Sequence, residues 1–129
     1  MGDFDDVRER GLAVRREMFG PPGSDDAVRN ASNFAAPFHE ILSRYCFGEF
    51  WTRDGLGRRD RSMLTLAMLI ALNREQEIKI HVRGALANGV KPSEIQELIL
   101  HAIPYCGIPA ALGGMRAAEE ALATAGESL

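Results

Sequence analysis

The sequence predicts an all-α protein of about six helices, built as a single domain over residues 1–129. Three observations carry this. Apolar residues recur at helical spacing through most of the chain. Alternating runs bounded by turn residues are absent, and β-branched residues are sparse, so no strand is expected. Glycine and proline gather at a few points that divide the helical segments.

Asp5 to Phe19 is polar, with Val7, Leu12, Val14 and Met18 spread through it, and reads as an amphipathic helix. Gly20-Pro21-Pro22-Gly23 closes it, and Ser24 or Asp25 is placed to cap the next one. Phe34, Phe38, Ile41 and Leu42 then share one helical face, with Pro37 expected to divide or kink the segment. Phe47, Phe50 and Trp51 make an aromatic corner before the clearest loop, Thr52 to Arg59. Asp60 to Leu72 is apolar on nearly all sides, which predicts a place at the domain centre or at a subunit interface. A tight turn joins it to a helix over Arg74 to Asn88, which Gly89 stops. Pro92 opens another helix, with Glu94 in its first turn and Ile95, Leu98 and Ile99 as its apolar stripe. Pro104 to Pro109 interrupts the pattern, and the Ala-rich stretch Ala110 to Ala125 ends the chain as a helix stopped at Gly126.

Composition narrows the function. Apolar residues form 46% and charged residues 26% of the chain, as in a globular protein. Fifteen basic and eighteen acidic residues leave a formal charge of −3, which argues against a nucleic-acid partner. The arginines between Arg53 and Arg61 read either as a solvated loop or as a grip on an anionic substrate. The two cysteines, Cys46 and Cys106, form no CxxC pair, and no metal-ligand spacing occurs, so no metal is expected. The acidic N-terminus lacks a signal-peptide core, and the apolar run Met63 to Leu72 is too short to span a bilayer. A cytoplasmic protein without a membrane partner follows as the expectation.

The chemistry is sought first at the three histidines, His39, His81 and His101, because imidazole exchanges protons near neutral pH. His81 stands out by its company: Glu77 lies one helical turn before it and Arg74 two turns before it, so the three are expected to project together. An acid, an imidazole and a guanidinium would then share one partly apolar face. The plainer reading is an exposed Glu–His pair that supports the helix. His39 and His101 are read as lacking a matching acid at helical spacing on an apolar face. Cys106, between Tyr105 and Gly107 at a helix break, either lines a pocket or is an inert buried thiol.

These residues resemble a known pattern. Glu77-Ile78-Lys79-Ile80-His81-Val82-Arg83, Ala87-Asn88-Gly89-Val90 and Glu94-Ile95 resemble the core signature of the carboxymuconolactone decarboxylase family, and Tyr105-Cys106-Gly107-Ile108-Pro109-Ala110-Ala111 resembles its second signature. Phe50-Trp51-Thr52-Arg53 and Met68 to Arg74 extend the likeness, which spans residues 8 to 126. Tyr45 departs from the pattern where a histidine is expected, and Lys91 where a capping Ser or Thr is usual. The resemblance implies an alkylhydroperoxidase D-like helical fold and a homo-oligomer, a trimer or a hexamer. The related disulfide reductases carry CxxCxxxH on the equivalent helix. Here those positions read Arg74, Glu77 and His81, which removes the dithiol that such chemistry requires.

The activity implied is loss of CO2 from a small anionic lactone, in the breakdown of aromatic compounds. The lactone is its own electron sink, so no cofactor is expected. The resemblance implies His81 as proton donor with Glu77 orienting it, and Arg74, Arg53, Trp51, Tyr105 and Cys106 about the substrate. A diverged family member with another substrate, and a thiol-dependent peroxidase or reductase, are the alternatives.

Overall fold

The computed structural model describes residues 3–127. Among them are seven α-helices, one 3-10 turn, one π-helical segment and no strand. Two compact units divide the chain, residues 1–56 and residues 57–129. No helix among the described residues is long and apolar enough to cross a membrane.

In the first unit, α1 (Asp3–Phe19) packs on a π-helical segment (Leu42–Phe50) that continues directly from α3 (Ala36–Ile41). The approach is close because glycine faces backbone. A Cβ on Gly11 would stand 1.7 Å from the Ser43 carbonyl oxygen, and one on Gly48 would stand 2.4 Å from the Val7 carbonyl oxygen. Val14, Met18 and Phe47 form the buried cluster, with Phe19, Leu42, Cys46 and Trp51 packed around it. Arg15 is buried to 3% exposure beside this contact. Its Nη1 donates to Ser43 Oγ at 2.8 Å and its Nε donates to the Gly23 carbonyl at 3.2 Å. Burial draws its pKa down, and nearby Asp25 acts the other way.

Several local expectations change here. Pro21–Gly23 closes as a 3-10 turn. Ser24 does not cap α2 (Asp25–Arg29), because its hydroxyl turns back to donate to the Gly20 carbonyl at 2.8 Å. Pro37 begins a helix rather than kinking one. It sits in the first turn of α3, where its missing N–H costs nothing. Phe34 therefore lies outside the helix, 97% exposed, and Phe38 and Ile41 are also exposed. The shared apolar face expected for this segment is not buried within the chain. The extra element relative to six helices is this division at Pro37.

In the second unit, α4 (Arg58–Ala71), α5 (Glu75–Ala87), α6 (Pro92–Cys106) and α7 (Ile108–Thr124) pack together. Leu66, Ile70, Ile78, Val82, Ile95, Ile99 and the alanines of α7 form the core. Two glycines let α7 come close to its neighbours: a Cβ on Gly114 would meet Ile70 Cγ1 at 2.9 Å, and one on Gly113 would meet Glu75 Oε1 at 3.3 Å. The helix expected at the domain centre or at a subunit interface is covered on one side within this unit. Ser62, Leu66 and Ile70 of α4 are buried, whereas Leu64, Met68 and Leu72 are exposed. Helix α6 runs through Pro104 and stops at Gly107, whose φ of 91° only glycine adopts without strain. The predicted interruption at residues 104–109 is thus a single residue, and α7 starts earlier than expected, with Pro109 in its first turn. Lys91 cannot accept a hydrogen bond as a capping Ser would. Glu94 instead reaches back to accept from the Lys91 N–H at 2.9 Å, and Arg59 pairs with its carboxylate.

Candidate active site

Helix α5 carries the two residues singled out as acid and imidazole. Its start is set by Asn73, which takes a left-handed φ of 60°, a conformation that asparagine tolerates better than most residues. The Ile78 N–H donates to the Arg74 carbonyl at 2.9 Å, closing the first turn, in which Glu75 and Glu77 suit the helix dipole. Ile78, Val82 and Ala85 face the core. His81 lies at the margin of that buried face, partly covered, while Glu77, one turn earlier, is exposed. Burial pushes the His81 pKa below its ordinary value, and the Glu77 carboxylate acts in the opposite sense. The imidazole is therefore biased toward its neutral form, with an acid in place to favour the protonated one.

Arg74 is the N-cap of α5, with φ −101° and ψ 72°, and is exposed. Its carbonyl accepts the first bond of the helix although its own torsions are not helical.

Tyr105 and Cys106 close α6. Tyr105 is 80% exposed and its ring lies 5.3 Å from that of His101. Cys106 is half-buried against the core. Both line a groove of about 640 Å³ along α4 and α6, whose apolar wall includes Met63, Ala67, Leu98 and Ala102. A second groove, of about 450 Å³, runs along α6 and α7 past Ile99, Leu100, Met115 and Leu122. Glu77 and His81 line neither.

His101 and Glu97 are the residues that sequence reasoning missed. Glu97 stands one turn before His101, and both line the larger groove with Tyr105. The sequence reading has His101 lacking a matching acid on an apolar face; Glu97 does stand at helical spacing from it, and both are exposed. The signal was Glu94, Glu97, His101 and Tyr105 falling on one face of α6.

Trp51 and Arg53 belong to the first unit. Trp51 stacks on Phe47 with ring centroids 5.7 Å apart, and its half-buried ring extends the cluster of Val14 and Met18. Arg53 is exposed in the loop after it. Both cysteines are free, and burial pushes the Cys46 thiol up, away from the reactive thiolate. Among the described residues no group of three His, Cys, Asp or Glu side chains is arranged to hold a metal ion.

The model of the carboxymuconolactone decarboxylase family matches residues 36–120, which include all of α5 and α6. The chain belongs to that family. A 4-carboxymuconolactone decarboxylase of Acinetobacter baylyi is 42% identical over 112 residues, covering 87% of this chain and 84% of the relative. The nitrosuccinic acid decarboxylase npaB of Metarhizium robertsii is 39% identical over 107 residues, covering 83% of this chain and 75% of the relative. Two decarboxylases with different substrates thus share most of this family member's length.

Proposed function

We propose that this chain is a carboxy-lyase that converts 4-carboxymuconolactone to 3-oxoadipate enol-lactone, with one functional domain and no cofactor. The observation that carries the reading is the 42% identity to a decarboxylase of that substrate along 87% of the chain. The bond from the ring to the carboxylate breaks and CO2 leaves. The electron pair passes through the ring double bond to the lactone carbonyl oxygen, and the resulting dienolate takes a proton on carbon. The lactone accepts the electrons that a cofactor would otherwise hold. His81 in its protonated form delivers the proton, and the carboxylate of Glu77 holds that form in place. Arg74 is assigned to a substrate carboxylate, which a guanidinium group binds in paired hydrogen bonds. The roles of Arg53, Trp51, Tyr105 and Cys106 rest on the family resemblance.

The second relative favours a broader alternative. Nitrosuccinic acid is also a small dicarboxylic acid, and its nitro group can take up the electron pair left by CO2. The shared requirement is a carboxylate beside an electron sink. Purified protein offered the lactone, nitrosuccinate and an organic hydroperoxide with a thiol reductant separates the readings. CO2 release and loss of ultraviolet absorbance on the lactone are expected. Release on nitrosuccinate alone would move the substrate, and thiol oxidation alone would move the reaction class.

We also read the protein as a cytoplasmic homo-oligomer, a trimer or hexamer, with no nucleic-acid or membrane partner. Leu64 and Met68 of α4 and its C-cap Leu72 leave an exposed apolar row that a second copy would cover. Sedimentation at micromolar concentration is expected to give a multiple of 14.1 kDa, and a clean monomer would refute this.

A further inference from the structure

We infer that Asn88 and Ser62 are positioning residues for His81. The inference rests on the reading of His81 as the proton donor. Asn88 is the C-cap of α5, seven residues beyond His81 and so near the same side of the helix. Its Nδ2 donates to Ser62 Oγ at 2.9 Å. Ser62 belongs to α4 and is fully buried at 0% exposure, so its hydroxyl is fixed by packing. This is a hydrogen bond between side chains of the two helices, at the end of the face that carries the imidazole.

Apolar packing of Ile78, Val82 and Ala85 holds α5 against the core, but apolar contact is non-directional and sets rotation about the helix axis loosely. A hydrogen bond is directional and sets it well. The lever arm makes this matter. A side-chain tip lies roughly 5–6 Å from the helix axis, so a rotation of about 10° carries an imidazole through about 1 Å. A displacement of that size at a reacting group is enough to cost about 100-fold in rate. Two further polar ties of α5, Lys79 to Glu120 at 2.8 Å and Glu75 to Arg116 at 3.9 Å, run to α7 and end on exposed side chains. They constrain that angle less than a buried acceptor does.

The test compares Ser62→Ala, Asn88→Ala, the double variant and Asn88→Asp with His81→Ala, all as intact protein on whichever substrate the wild type decarboxylates. Each is assayed well below its melting temperature. Ser62→Ala and Asn88→Ala are expected to lower kcat roughly 10- to 100-fold with KM little changed. The double variant is expected to be no slower than either single one, since both remove one interaction. Asn88→Asp keeps a bond, with the Ser62 hydroxyl donating to the carboxylate, and is expected to recover most of the turnover. A purely structural role predicts a lower melting temperature with wild-type kcat in the folded protein, and that result overturns the inference, as does additivity in the double variant. If His81→Ala itself turns over normally, the reading of His81 fails instead, which the same series reveals separately.

Discussion

Replacing His81 by alanine is expected to reduce decarboxylation by roughly two to four orders of magnitude, the usual loss for a positioned general acid. The fall should appear in kcat, because the proton is delivered in the transition state and the imidazole is not assigned to ground-state binding. Glu77→Gln should do less, since it removes the charge that favours the imidazolium but leaves the donor. The pH dependence follows from the environment. Burial lowers the His81 pKa, so the protonated donor is depleted as pH rises through a value below the ordinary histidine range. Activity is therefore expected to fall on the alkaline side, and in Glu77→Gln the fall should begin at lower pH still. Stability has the opposite sign. A depressed folded pKa means the unfolded chain binds the proton first, so His81 destabilises the fold as pH drops through that interval. A near-normal kcat in folded, assembled His81→Ala would end the assignment and return the Glu77–His81 pair to simple helix support.

The largest structural effect is expected at Gly11. A methyl group there would stand 1.7 Å from the Ser43 carbonyl oxygen, 2.7 Å from the Gly48 nitrogen and 2.8 Å from the Ser43 carbonyl carbon. All three atoms belong to backbone, so no side chain can swing aside. Overpacking of a well-filled core typically costs about 1–3 kcal/mol, and a clash with rigid backbone on both sides belongs at or above the top of that range. Gly11→Ala should therefore separate α1 from the π-helical segment and expose Val14, Met18 and Phe47. Chemical denaturation read through Trp51 fluorescence would report it, since Trp51 stacks on Phe47. An unchanged midpoint would mean that the two segments do not pack as described. A methyl carbon on Gly55 would have nothing within 4 Å, so Gly55→Ala is the matched control.

The parts legible in the sequence are those governed by local periodicity and glycine. The span of α5 and its stop at Asn88-Gly89 follow from apolar spacing and a left-handed residue, and the structure places Gly89 at φ 88°. The pairing of Glu77 and His81 follows from the same periodicity. What was not legible depends on neighbours distant in sequence. Nothing local distinguishes a π-helix from an α-helix over Leu42–Phe50, where the choice goes with the fit of Gly48 against Val7. The start of α5 falls after Arg74, whose ψ of 72° is not helical, and no residue type on either side of that boundary fixes it. The role of Asn88 was half visible. Its place as a stop signal is local, whereas its bond to Ser62 spans 26 positions. The pairing of Glu97 with His101 was present in the spacing, and only the groove gives it a setting.

The widened helix over Leu42–Phe50 stores chain length. Its Trp51 N–H donates to the Cys46 carbonyl at 3.1 Å, five residues back, where an α-helix would reach four. Such a turn holds one residue more than its neighbours need. Deleting one residue within it would let ordinary α pairing resume without breaking the helix. An i→i+5 turn and an i→i+4 turn bring the chain back to nearly the same side, so the part beyond the deletion would keep its facing. The cost would fall on the residues of the widened turn itself, where Gly48 meets Val7 and Phe47 stacks on Trp51. Insertions and deletions should be accepted more readily in the loop around Gly55, where an added Cβ would meet nothing within 4 Å.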